Sequence, residues 1–182
     1  DYVYGSFIQS KMHEKGVVCS NCHNPHSLKL RVHDNGLCAQ CHNPQTFDRP
    51  EHHHHKENAG ALCVNCHMPE TTYMVVDPRR DHSIRIPRPD LSKELGVPNA
   101  CNQCHTDKST AWSVDRFKKW YPARVNAFHI GEVFNAARES ILTDSTALFK
   151  ISDDKSQPAY IRAAALMYLR NYPSREAFLG GI

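Results

Sequence analysis

Apolar side chains recur at helical intervals only in the last part of this chain. Trp112, Phe117 and Trp120 keep that spacing until Pro122 stops it, and Val125, Phe128, Val133, Phe134, Ala137 and Ile141 predict a second helix. Pro158 opens a third over 159–172, where Ile161, Ala164, Ala165, Met167, Tyr168 and Leu169 make a broad apolar face that Pro173 ends. Before residue 110 no such period is sustained. Residues 43–60 hold only Phe47 and Ala59 as apolar side chains, beside the run His52–His55. The gap after residue 67 is longer still, with Arg79, Arg80, Arg85 and Arg88 set among Pro78, Pro87, Pro89 and Pro98, and reads as extended. The pattern therefore predicts two parts: residues 1–110, mostly irregular with little β structure, and residues 111–182, a small C-terminal α-helical segment.

Composition sharpens that picture. Of 182 residues, 40 % are apolar, below the roughly 45–50 % of ordinary globular chains. The longest apolar run, Ala163–Leu169, is far short of the ~20 residues that span a bilayer, so no transmembrane segment is expected. Residues 1–110 carry 12 Lys/Arg against 12 Asp/Glu, and 111–182 carry 10 against 7, for a net +3. No basic run or basic helix face with interleaved aromatics occurs, which sets nucleic acid aside. The opening Asp1-Tyr-Val-Tyr-Gly lacks a basic stretch followed by an apolar one, so a leader is expected to be absent or already removed.

Eight cysteines and 13 histidines are the anomaly. All eight cysteines fall into four pairs, each followed at once by histidine: Cys19-Ser-Asn-Cys22-His23, Cys38-Ala-Gln-Cys41-His42, Cys63-Val-Asn-Cys66-His67 and Cys101-Asn-Gln-Cys104-His105. Paired C-x-x-C also serves four-cysteine zinc sites, redox dithiols and disulfide frameworks, but none of these requires the adjacent histidine. C-x-x-C-H is the attachment signature of c-type haem, in which both thiols add to porphyrin vinyl groups and the histidine reaches the iron. The expectation is four covalent haems c as the core of residues 1–110, each a large apolar surface in a stretch that lacks its own. With two propionates each, four haems would move the protein from +3 to roughly −1 when oxidised or −5 when reduced.

Each motif supplies one axial ligand: His23, His42, His67 and His105. A low-spin electron-transfer haem takes a second strong ligand, whereas a catalytic haem leaves a position open. Nine histidines remain: His13, His26, His33, His52, His53, His54, His55, His82 and His129. His13 lies just before the first motif. His26 follows Pro25, which turns the chain after His23. His82 is flanked by groups able to orient an imidazole. The fourth is expected from the run 52–55, with His55 favoured and His53 the alternative. The expected distal set is thus His13, His26, His55 and His82. His33 and His129 are left as surface or propionate-contacting residues, and Met12, Met68, Met74 and Met167 are weaker candidates than the histidines. The four arginines of the 79–88 stretch either pair with propionates or form a solvated loop.

Three motifs continue as Cys-His-x-Pro, at Pro25, Pro44 and Pro69, which makes a degenerate internal repeat without fixed period. Residues 63–74, the stretch Asp81-His-Ser-Ile-Arg-Ile-Pro-Arg-Pro-Asp-Leu and the stretch Pro98-Asn-Ala-Cys-Asn-Gln-Cys-His-Thr-Asp-Lys resemble one known group. It is the bacterial multihaem c-type cytochromes in which a haem segment precedes TPR- or HEAT-like helices. The likeness covers roughly residues 7–121, best over 62–121, and 158–173 is similar to one helical repeat. It implies a haem-cored multihaem cytochrome c fold, with the histidine preceding the third motif (His53 or His55) and that of Asp-His-Ser (His82) as ligands. It further implies electron transfer outside the cytoplasm, and because c-type haem is attached on the outer side of the cytoplasmic membrane the expected place is the periplasm, the cell surface or the extracellular medium. A subset of such cytochromes polymerises into extracellular conductive filaments, some with a histidine from the next subunit, a role that would suit His13.

The function expected is therefore extracytoplasmic electron transfer with redox proteins or extracellular acceptors, as a shuttle or as a homopolymer with haem contacts between subunits. Two alternatives stand beside it. One is a multihaem reductase of a small nitrogen or sulfur species, which needs one open iron. The other is a docking or sensing protein whose helical tail is the functional part.

Overall fold

The computed structural model describes residues 3–125 and 127–172. The described residues are mostly helical with one two-stranded sheet, and the chain divides into two compact units. The first takes in residues 1–89 and 98–109, the second 90–97 and 110–182. The sequence pattern assigns 90–97 to the first part. The structure groups it with the helical part, and α8 (Pro89–Leu95), with Leu91 only 6 % exposed, is a helix where the sequence reads as extended.

The first unit is built from single helical turns. In chain order they are α1 (Val3–Phe7), α2 (Lys11–Glu14), α3 (Cys19–Cys22), α4 (Gly36–Ala39), α5 (Pro44–Phe47), α6 (Pro50–His53), α7 (Cys63–His67) and, beyond α8, α9 (Ala100–Cys104). Such short helices are unstable alone, since nucleation fixes several residues for one hydrogen bond. Local caps hold them instead. Ser10 Oγ accepts from the His13 N–H (3.1 Å), Asn43 Oδ1 from Gln45 (2.9 Å) with Pro44 preset at the first position, and Asn99 Oδ1 from Asn102 (3.1 Å). The strands β1 (Glu70–Tyr73) and β2 (Asp77–Arg80) pair antiparallel, with Glu70 opposite Arg80 and Tyr73 opposite Asp77. Phe7, Pro89 and Ala100 are the buried apolar side chains that the described residues of this unit provide. So thin a core matches the poverty of apolar residues in its sequence.

The second unit has an ordinary core. Beyond α8 it contains α10 (Thr110–Trp120), α11 (Ile130–Arg138), α12 (Thr146–Asp153) and α13 (Ala159–Leu169). Val133, Ala137, Leu148, Ile151, Ile161 and Ala165 form one buried cluster, with Leu148 and Ala165 wholly enclosed. Phe134 and Tyr168 stack at 5.6 Å, and Tyr172 Oη donates to the Ala137 carbonyl (2.9 Å). The helix expected over 125–141 is shorter, because a capping box starts it at Ile130. His129 Nδ1 accepts from the Gly131 N–H while Glu132 accepts from the His129 N–H, which leaves Phe128 outside and exposed. Helix α12 is absent from the sequence reading. It buries Leu148, Ile151 and Ser152 at i, i+3 and i+4, and Asp144 accepts from both the N–H and the hydroxyl of Thr146. Among the described residues no helix is long and apolar enough to cross a membrane.

Candidate functional site

Each C-x-x-C-H segment forms one helical turn. The histidine N–H donates to the carbonyl of the first cysteine at His23 (2.8 Å), His42 (2.9 Å) and His105 (2.9 Å), and His67 closes α7 in the same sense. Residues i, i+3 and i+4 share one helix face, so this turn delivers two thiols and one imidazole to the same side. Thiols of successive motifs also neighbour one another. Cys22 lies in the field of Cys38 and Cys41, Cys63 donates a hydrogen bond to Cys38, and Cys66 lies in the field of Cys104 and Cys101. The bond from Cys63 pulls the Cys38 thiol down to about 7, while the Cys63 thiol is raised by the same bond. Burial pushes up Cys22, Cys66 and Cys101. The four motifs thus follow one another in space in chain order.

The histidines outside the motifs are the informative part. Three of them face a motif histidine: His82 lies 6.3 Å from His23, His52 lies 6.2 Å from His67, and His55 lies 6.0 Å from His105, centroid to centroid. Their rings are inclined by 30°, 8° and 28°. Two imidazoles bound on opposite sides of one metal, with bonds of ~2 Å and ~1.1 Å from nitrogen to ring centre, come to about 6.2 Å. Ordinary ring packing spans ~4.5–7 Å as well. What singles out these pairs is that each joins one motif histidine to one other histidine.

Tautomers separate ligand-competent histidines from the rest. A carbonyl only accepts, so an imidazole nitrogen bonded to it carries the proton and leaves the other nitrogen's lone pair free for a metal. Nδ1 donates to the carbonyl of Leu28 from His23 (2.9 Å), of Arg85 from His67 (2.9 Å), of Arg80 from His82 (2.9 Å) and of His53 from His55 (2.5 Å). In each, Nε2 is the available nitrogen. His53 is arranged the other way: its Nδ1 accepts from the His55 N–H (3.2 Å), which in the neutral ring puts its proton on Nε2. His129 Nδ1 likewise accepts from Gly131. Of the two candidates in the run, His55 has the free nitrogen and the facing partner, whereas His53 shapes the loop.

Strained backbone accompanies these carbonyls. Leu28, whose carbonyl receives His23, has φ 58°; His54, between His53 and His55, has φ 57°; Ile84, beside Arg85, has φ 49°. Left-handed conformations at such residues cost on the order of 1–3 kcal/mol and persist where surroundings over-determine them. At His54 the reversal turns successive imidazoles of the run in different directions. Burial also pushes the His54 imidazole below its ordinary value, and solvent does not reach its Nε2.

The remaining expected ligands sit elsewhere. His13 packs edge-on against Phe7 (5.3 Å, 76°). His26 is exposed in the turn after Pro25, where its N–H donates to Asn24 Oδ1 (2.9 Å). Neither faces a motif histidine among the described residues. His42, itself exposed, is met edge-on by Phe47 (5.8 Å), whose other contact is His52 (5.5 Å). His52, by contrast, was not singled out from sequence. Four like residues in a row carry no internal signal, and only the direction of α6 distinguishes them.

Two of the four arginines, Arg79 and Arg80, make contacts within the protein. Arg79 pairs with Asp77 (2.7 Å) and lies over the Tyr73 ring (4.5 Å), and Arg80 donates to the carbonyls of Val64 (3.4 Å) and Met68 (3.1 Å), at the end of α7. Both therefore brace the hairpin and the third motif within the protein.

These residues fit a haem. Each pair of facing histidines offers two imidazole nitrogens that would hold the iron, and each motif turn offers two thiols on one face that would take the porphyrin. Val18, Leu30, Val32 and Phe47, close in sequence to the first two motifs, leave apolar surface exposed that a porphyrin would cover. Among the described residues no three His, Cys, Asp or Glu side chains converge as a metal cluster, so the donors are arranged in facing pairs. Comparison with known proteins adds no relative: no family model, no curated protein and no solved structure matches the chain.

Proposed function

We propose that this chain is a tetrahaem c-type cytochrome that transfers electrons outside the cytoplasm, as a shuttle or within an assembly. The observation that carries the reading is the set of three facing pairs, His23/His82, His67/His52 and His105/His55, at 6.0–6.3 Å. Four C-x-x-C-H turns would hold the groups through Cys19, Cys22, Cys38, Cys41, Cys63, Cys66, Cys101 and Cys104. When bound, a haem supplies reversible one-electron exchange at its iron. His23 with His82, His67 with His52 and His105 with His55 would hold three of the irons between them, which would leave no open position there for other ligands. Carbonyl acceptors on Nδ1 of His23, His67, His82 and His55 raise ligand basicity and fix ring orientation, both of which tune potential. All-imidazole ligation gives lower potentials than His/Met. The order of the motifs in space supports transfer from one centre to the next, and the compartment follows from where thioether haem is attached.

The test is electron paramagnetic resonance of the oxidised protein, with mass spectrometry confirming four attached haems. His82→Ala, His52→Ala and His55→Ala are each expected to convert one low-spin centre to high spin. Retention of all low-spin centres in these variants would refute the pairing. A second reading, reduction of a small nitrogen or sulfur species, draws on His42, which meets Phe47 and not a second imidazole. Rapid cyanide binding to one centre in four would favour it. With every centre inert to cyanide, the carrier reading stands.

A further inference from the structure

The segment that presents His82 is held by a tether from the far end of the unit. Asp81 Oδ1 accepts from the Ser6 hydroxyl of α1 (2.6 Å) and from the Ser83 N–H (2.8 Å), and Asp81 Oδ2 accepts from the Ser83 hydroxyl (2.6 Å). The Asp81 N–H donates to the Pro69 carbonyl (3.0 Å), next to β1. Ser6 and Ser83 are 6 % and 7 % exposed, so these bonds form where water does not compete for them. Residues 81–83 make a turn closed over a carboxylate, with His82 at its apex and its Nδ1 fixed on the Arg80 carbonyl. A carboxylate meets all three donors because it accepts at both oxygens. The two ends of the tether lie 75 residues apart.

We infer that Asp81 is a positioning residue: with Ser6 and Ser83 it sets the place and orientation of the His82 imidazole opposite His23, so that α1 forms part of the first centre. This rests on the tetrahaem reading above. Asp81 does not touch His23 or the space between the two rings in the described contacts; it acts through His82. The geometry has two consequences. Removing the carboxylate releases the turn at three bonds and frees His82 to leave its partner, while the other pairs, which share none of these bonds, stay as they are. A carboxamide, which keeps one accepting oxygen for Ser6 and the Ser83 N–H and can donate to the Ser83 hydroxyl, restores the turn.

The experiment compares the full-length holoprotein with His82→Ala, Asp81→Ala, Asp81→Asn and Ser6→Ala. Oxidised electron paramagnetic resonance and potentiometric titration are read after mass spectrometry shows four haems in each. In Asp81→Ala the low-spin signal lost is expected to be the one lost in His82→Ala, one centre of the four irons, and Asp81→Asn is expected to regain it. Ser6→Ala, which removes one bond and leaves the turn, is expected to shift the g values and potential of that same centre only. It carries the test if Asp81→Ala does not assemble. If His82→Ala removes one low-spin centre but Asp81→Ala and Ser6→Ala leave signal and potential at wild-type values, the positioning role is overturned and the ligand assignment survives. If His82→Ala changes nothing, both fall.

Discussion

Gly60 offers a quantitative test of the His55 site. A Cβ built on Gly60 would lie 2.6 Å from Cγ and 2.9 Å from Nε2 of His55, where ordinary contact is 3.4–4 Å. The His55 ring would have to retreat by about 1 Å, with a packing cost on the order of 1–3 kcal/mol. It has little freedom to do so, because Nδ1 is bound to the His53 carbonyl at 2.5 Å and the Gly60 N–H is bound to Asn58 Oδ1 at 2.8 Å. Metal–ligand distances hold to about 0.2 Å, so a displacement of that size breaks coordination. Gly60→Ala is therefore expected to convert the His105 centre alone to high spin, with four haems still attached by mass. Gly5→Ala, where nothing lies within 4 Å of the added carbon, serves as the control. Low-spin signals in Gly60→Ala identical to those of the wild type would show that His55 is not held where its bonds place it, or that it is not a ligand.

Other outcomes follow from the same contacts. His53→Ala should perturb the His105 centre less than His55→Ala, by a shift in g values without loss of the low-spin signal, since His53 contributes a loop contact and not a free Nε2. Leu148→Ala, at a wholly enclosed position of the helical unit, should cost about 2–5 kcal/mol in chemical denaturation and leave the haem spectrum unchanged; a spectral change would mean that the two units are energetically inseparable. Burial works to raise the Asp81 carboxyl, but the bonds from Ser6 and Ser83 and the charge of Arg85 hold it below its usual value. Its folded value is thus depressed, and the stability it adds is full above the unfolded carboxylate pKa of ~4 and lost as pH falls through the folded value. Hydrogen exchange at residues 81–83 should accelerate in that acid range, and Asp81→Asn should flatten the dependence.

What could be read without a structure was local. Cysteine, cysteine and histidine at i, i+3 and i+4 need only one turn of backbone to converge, and four such motifs announce themselves by spacing alone. The apolar periods of α10 and α13 were legible for the same reason, being repeats within a dozen residues. Helix α12 was not, because its eight residues make little more than two turns, too few for an apolar period to repeat. The hairpin was hidden by Pro78 in β2 and by a turn of three exposed apolar residues, Met74, Val75 and Val76.

Which histidine meets which could only be decided by the folded chain. By sequence His52, His53, His54 and His55 are four identical side chains, and their roles part only because α6 ends in a left-handed residue at His54 that sends neighbouring imidazoles apart. His82 reaches His23 across 59 positions of sequence, at a place set by a serine on α1. Composition and spacing determine which chemistry the chain can hold, since ligand identity is a property of side chains. Pairing depends on backbone direction, on a missing Cβ at Gly60 and on a hydrogen bond between Ser6 and Asp81, and these exist only once distant segments have closed upon one another.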